Sequence, residues 1–308
     1  MGGFFERNGQ LYEIEYENNI RKHFIKQWDP KIDSFKCGVN ESEKIDAISG
    51  REEIFSIISN LTLKEVEDKL MPINVPVIVV ADFLLNIAYS DYEIEILVND
   101  LIRITGEIHA SLKINVTLAG LVLWKFGDFI EVSSDPFKTL FNFIPYNSNM
   151  LKTKYGNCYK HALLLTTKIF QQGIIGLAYN QQICDDNRMA VSVMSAKHRI
   201  ISSANIFAHE LAHSLGIDHD YINCNCPQGV FNCIMNPTFN FTHTFTWSEC
   251  TKRDLLSYQL THKHDCLLEK PSRCITELGV IFSKTMILLF VLILIFIFFL
   301  IFYYIVRK

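Results

Sequence analysis

The chain has 308 residues, enough for one large domain with appendages, and its 33 acidic and 29 basic side chains leave a net charge of −4. That balance excludes the strongly basic surface through which nucleic-acid-binding proteins work, so no nucleic acid is expected as a partner. Nine cysteines point to a compartment where disulfides persist rather than to the cytosol.

Residues 1–70 are polar and mixed, with no strong periodicity beyond a helical stretch around Glu52 to Asn60. The opening MGGFFERNGQLYEIEYENN carries charged residues throughout and no apolar core of a secretory signal. Glu6 stands where a myristoylation motif wants Ser or Thr, so lipidation of Gly2 is not expected; a true N-terminus lying upstream is. The pattern then tightens. Val75 to Ala81 is a continuous apolar run rich in β-branched residues and reads as a buried strand, despite Pro76 near its start. Ile94, Leu97, Leu101, Ile104 and Ile108 follow at helical spacing, and LKINVTLAGLVLW then alternates as a strand, with Ile114, Val116 and Leu118 on one side. Asp135 can cap a helix that has Pro136 in its first turn. Ala162 to Thr166 is a further strand candidate, and Gly176 to Tyr179 a shorter one. Alternating strands and helices imply an α/β sandwich with a mostly parallel twisted sheet, with the next helix packed beneath it.

That helix carries HELAHSLGIDH, the spacing H-E-x-x-H-x-x-G-x-x-H. Positions four apart lie one turn apart on the same face, so His209 and His213 can point at one ion. Gly216 suits the left-handed turn that ends the helix and brings His219 round as third ligand. Three neutral nitrogens leave the fourth tetrahedral position open to water, as in a catalytic zinc site. Glu210, next to the first ligand, can hold that water and act as general base. The expected cofactor is therefore one catalytic Zn2+. Gly176, Leu177 and Ala178, as a strand edge upstream of this helix, are candidates to pair with the extended backbone of a substrate.

From Met286 to Val306 no charged residue occurs, and the stretch is long enough to cross a bilayer as one helix. Lys284 precedes it; Arg307 and Lys308 follow it and favour a cytosolic C-terminus. A single-pass membrane protein with its body extracellular or lumenal is expected. Sequons at Asn40, Asn60, Asn115 and Asn240 could accept glycans there.

The third histidine followed by Asp220, with the run Cys233-Ile234-Met235, resembles the metzincin proteases, and more closely the adamalysin or reprolysin branch that includes the ADAM proteases. VPVIVVAD looks like the first strand of these domains, GLAYNQQIC like the strand and cysteine at the rim of their cleft, and CLLEKP at Cys266 like their closing segment. GFFERNGQLYEIE and FKCGVNE are similar to the end of an ADAM prodomain. The resemblance implies a layout of prodomain remnant and linker over 1–70, reprolysin-type protease over 71–271, stalk over 272–284, transmembrane helix over 285–306 and cytosolic tail over 307–308.

It also implies roles for particular residues. Met235 is the methionine of the turn beneath the zinc. Cys184 would pair with Cys266, Cys224 with Cys250 and Cys226 with Cys233, while Cys158 and Cys274 have no assigned counterpart. Cys37 resembles the prodomain cysteine whose thiolate takes the open zinc position and keeps the enzyme latent. No Arg-x-Lys-Arg run follows it, Ser49-Gly50-Arg51 being the nearest candidate for cleavage. Val75 stands where calcium-binding members carry Glu, so that accessory site is not expected. Only SRCITELGVIFSK separates Pro271 from the apolar run, so neither a disintegrin domain nor integrin binding of that type is expected. The resulting expectation is a membrane-anchored zinc metalloendopeptidase acting on extracellular or membrane-proximal proteins. The alternative is a latent or non-proteolytic cell-surface interaction protein that retains the protease fold.

Overall fold

The structure is a computed structural model that describes residues 3–7, 10–17, 22–27, 35–38, 51–184, 190–196, 199–221, 223–227, 233–239, 246–261, 264–271 and 273–274. The chain divides into two units, 1–273 and 274–308. Of the second, only Cys274 is described, so the architecture below is that of the first. The apolar run expected to span a membrane lies outside the described residues, among which no helix is long and apolar enough to cross one. Of the sequons, Asn60 and Asn115 are described and exposed.

Residues 1–70 hold more regular structure than their polar composition announces. Strands β1 (Gly3–Arg7), β2 (Gln10–Glu17) and β3 (Lys22–Gln27) form an antiparallel meander of their own. Strand β4 (Phe35–Cys37) joins a different sheet, and helices α1 (Arg51–Ser59) and α2 (Leu63–Lys69) follow. A reciprocal capping box starts α2, with Thr62 accepting from the Glu65 backbone N–H and Glu65 reaching back to the Thr62 N–H.

The main sheet is built around β5 (Ile73–Ala81), in which every residue but Asn74 is buried. The run tolerates Pro76 because β7 (His161–Thr166) begins to pair only at Val77↔His161; on that side Pro76 meets the Lys160 N–H, which donates to its carbonyl at 2.7 Å and needs no N–H in return. Helices α3 (Phe83–Ala88) and α4 (Asp91–His109) lead to β6 (Ile114–Leu123), parallel to β5 on its other side. Ser90 and Glu93 form a second capping box for α4, which buries Ile94, Leu101 and Ile108 of the stripe its spacing predicts, together with Val98 and Ile102, while Leu97 and Ile104 at the edge of the stripe are only partly buried. Helix α5 (Pro136–Tyr146) begins as expected, its first backbone N–H groups donating to the Asp135 carboxylate. A short helix, α6 (Lys152–Tyr155), precedes β7, and β8 (Ile174–Ala178), β9 (Ala190–Ser195), α7 (Ile200–Ser214), β10 (Thr238–Phe239) and α8 (Glu249–Thr261) complete the set.

The strand order is β10-β4-β8-β9-β7-β5-β6. Pairings are parallel except β8 with β9 and β10 with β4, so the sheet is mostly parallel, as the alternation of elements predicts. Helix α7 packs against β8, β9 and α4. One expectation needs correction: the edge that Gly176 to Ala178 offers is not free at Gly176. The stretch is buried and pairs with β9 along its length, and at Gly176 its other side pairs with β4, from the distant N-terminal segment. The strand next upstream of α7 is β9, not β8.

Candidate metal centre

Helix α7 turns no face to solvent: residues 201–214 are all buried, its polar side chains among them. Its histidines are therefore internal. His209, Glu210 and His213 are fully buried, and His219 nearly so. The helix ends in a Schellman turn. Gly216, at φ +77°, lets its N–H donate to the His213 carbonyl and the Ile217 N–H donate to that of Ala212, at 2.8 and 3.1 Å. The reversal returns the chain so that His219 faces the helix it has just left.

The three imidazoles converge edge-on through one kind of nitrogen. Nε2 of His209 lies 3.0 Å from that of His213 and 3.2 Å from that of His219, and the last two are 3.1 Å apart. Each helix histidine is oriented by a backbone carbonyl behind it. His209 Nδ1 meets Ile234 O at 2.7 Å, and His213 Nδ1 meets Ile217 O at 2.8 Å. A carbonyl only accepts, so both Nδ1 atoms carry the proton and both Nε2 atoms present lone pairs inward. Burial, reinforced by the neighbouring imidazoles, holds His209 down at about 3 and His213 well below the ordinary imidazole range, which keeps the rings neutral.

Cys37 closes the cluster. Its Sγ lies 3.5 Å from His213 Nε2 and 3.8 Å from Glu210 Oε2, and it forms with the three histidines a group whose ligand atoms all lie within 4.8 Å of one another. Strand β4 brings it there. The Cys37 N–H donates to Pro237 O at 3.1 Å and the Gly38 N–H to Gly176 O at 3.2 Å, so the segment is stitched between β8 and β10. The donor set suits zinc. Three lone pairs about 3 Å apart repel one another unless a cation lies between them, and a tetrahedral ion with bonds of ~2.0–2.1 Å sets nitrogens roughly 3.3 Å apart. Glu210 stands beside this cluster with Oε1 lacking a hydrogen-bond partner among the described residues. Burial pushes its carboxyl up to about 8, while the Cys37 thiol acts in the opposite direction.

The family model described as "Reprolysin (M12B) family zinc metalloprotease" matches residues 73–271. The chain belongs to the reprolysin family. It is also 32% identical over 201 residues to the disintegrin and metalloproteinase domain-containing protein adm-2 of Caenorhabditis elegans, a match covering 63% of this chain and 20% of that relative. The chain thus spans about a fifth of the length of that relative.

Around the centre of this reprolysin, disulfides fix what the helix cannot. Cys226–Cys233 closes the loop leading into Ile234 and Met235, and Cys224–Cys250 ties the stretch after His219 to α8. Cys184–Cys266 joins the segment after β8 to the closing segment. All three pairs are those the family resemblance implies, and Cys158 and Cys274 are disulfide-bonded as well. Met235 is fully buried, and its carbonyl accepts from the Asp220 N–H at 2.8 Å. Asp220, whose carboxyl burial pushes up, accepts from Ser248 Oγ, and that oxygen also takes the Thr251 N–H at 3.0 Å at the start of α8. The third ligand is thereby anchored to α8, a link that sequence spacing does not reveal. The orienting carbonyls of Ile217 and Ile234 also escape a reading of side chains, because the groups that act belong to the backbone.

Proposed function

We propose that this reprolysin is a zinc metalloendopeptidase held latent by its own N-terminal segment. The observation that carries the reading is the convergence of three neutral imidazole nitrogens, with Glu210 beside them and the Cys37 sulfur on the remaining side. Three protein ligands with an open position mark a catalytic zinc, whereas four close it. Cys37 as fourth ligand, His209, His213 and His219 as the other three, and Glu210 as base together describe a complete but blocked centre. A zinc ion held there supplies a water of lowered pKa and a Lewis acid for the scissile carbonyl. Glu210 takes the proton of the attacking water and passes it to the leaving amine. His209 and His213 stay oriented throughout, because Ile234 O and Ile217 O hold their outer nitrogens.

Substrate recognition follows from β8. Its outer side already accepts the backbone of β4, so an extended peptide meeting Gly176, Leu177 and Ala178 uses the same strand-addition geometry once Cys37 and Gly38 leave. The apolar run over 285–306 would anchor the chain in a membrane with the protease outside the cytosol, and sequons such as Asn60 and Asn115 would carry glycans. Substrates are then proteins within reach of that membrane.

A second reading, an interaction protein with a permanently closed cleft, is favoured by two observations. Strand β4 fills the space between β8 and β10, and no Arg-x-Lys-Arg run follows it. The test is turnover of a fluorogenic peptide library by the full chain carrying Cys37→Ala, before and after zinc chelation. Cleavage lost on chelation and restored by zinc is expected. Zinc-loaded protein without turnover would overturn the protease reading in favour of the second.

A further inference from the structure

We propose that Gly176 is a positioning residue for Glu210: the absence of a Cβ on β8 makes the space in which the carboxylate sits. The inference rests on Glu210 as the base. Gly176 is not among the residues with positive φ, so backbone freedom does not explain a glycine in this buried strand. Space does. A Cβ built on Gly176 would lie 2.5 Å from Glu210 Oε1, 2.9 Å from Glu210 Cδ and 2.8 Å from Ile206 Cγ2. Ile206 and Glu210 are four apart on α7, so the added atom would wedge between two successive side chains on the face that meets β8.

Something must then move, and the helix is poorly placed to do so. α7 is buried throughout and packed between β8, β9 and α4, and it carries His209 and His213. The Glu210 carboxylate is the freer body, since Oε1 has no hydrogen-bond partner among the described residues. Reaching an ordinary contact of 3.4 Å displaces it by about 0.9 Å, away from β8. A misplacement of about 1 Å in a reacting group costs on the order of 100-fold in rate.

The test is Gly176→Ala in the full chain carrying Cys37→Ala. Expected is a fall in kcat of about 10- to 100-fold, with KM changed much less and bound zinc unchanged. Glu210→Asp, one methylene shorter, should be less harmful when combined with Gly176→Ala than when made alone, so the double variant exceeds the product of the single effects. Thermal unfolding of the metal-free proteins gives a readout apart from activity. Gly176→Ala should lower Tm more in the Glu210 chain than in the Glu210→Ala chain, and a protein that folds only in the latter background supports the proposal equally. Unchanged kcat, additive Tm shifts, or failure to fold in both backgrounds overturns it. If Glu210→Ala itself keeps full turnover, the base assignment fails. If Glu210→Ala is inactive while Gly176→Ala behaves as the parent, only the present inference fails.

Discussion

Replacing Gly216 by Ala probes how the helix end builds the centre. At φ +77° a residue with a Cβ bears roughly 1–2 kcal/mol of left-handed strain. The new atom would also lie 3.2 Å from Gln181 Cγ and 3.2 Å from Tyr258 Cδ2. Gln181 can yield, but Tyr258 is buried and its hydroxyl donates to Ile183 O at 3.1 Å. With crowding added, the change should cost about 2–3 kcal/mol, or a fall in Tm of about 4–12 °C for a domain of this size. The same shift disturbs Ile217, whose carbonyl orients His213, so zinc affinity should fall about 10- to 100-fold. Thermal unfolding of the metal-free protein and a zinc titration against a competing chelator read the two effects separately. A Gly216→Ala protein with unchanged Tm and unchanged zinc affinity would refute the argument that this turn sets the ligand geometry.

Cys37→Ala removes the sulfur 3.5 Å from His213 Nε2 and should raise peptide turnover by at least about 10-fold, as expected when a fourth protein ligand no longer closes a zinc site; a zinc-loaded variant with no gain removes Cys37 from latency. Burial holds His161 at about 3 instead of 6.5, so the folded chain refuses a proton that the unfolded chain binds between those values. Its contribution is intact above pH 6.5 and is lost as pH falls, by about 2 kcal/mol at pH 5, and His161→Asn should flatten that part of the acid-side decline in Tm. Breaking Cys184–Cys266, with its sequence separation of 82, should lower unfolding free energy by up to ~4 kcal/mol, measured by denaturation of a Cys184→Ser, Cys266→Ser protein.

The parts of this fold that were legible in sequence are those whose signal is local. HELAHSLGIDH is readable because helix pitch and one glycine suffice to place three ligands. Strand β5, helix α4 and strand β6 declare themselves by period and β-branched content. Strand β9 does not, because Ser192 and Ser195 interrupt its apolar character although all six residues are buried. Helix α8 is obscured by polar residues that the fold employs, such as Arg253, whose guanidinium donates to Ile58 O and Leu61 O at 2.6 and 3.0 Å. The pairing of β4 with β8 joins segments far apart in the chain, and nothing in FKCGV taken alone specifies that edge. Gly176 reads in sequence as a possible substrate contact; its closeness to Glu210 exists only once β8 is laid against α7.

The central claim is that this chain hydrolyses peptide bonds at a zinc site with Glu210 as base. Its most direct test measures bound zinc and peptide turnover together in Glu210→Ala, made in the Cys37→Ala chain. The account predicts that zinc stays at the parent level while turnover falls by about 10²- to 10⁴-fold, the usual range for removing a general base. Turnover at the parent rate with zinc bound would contradict it.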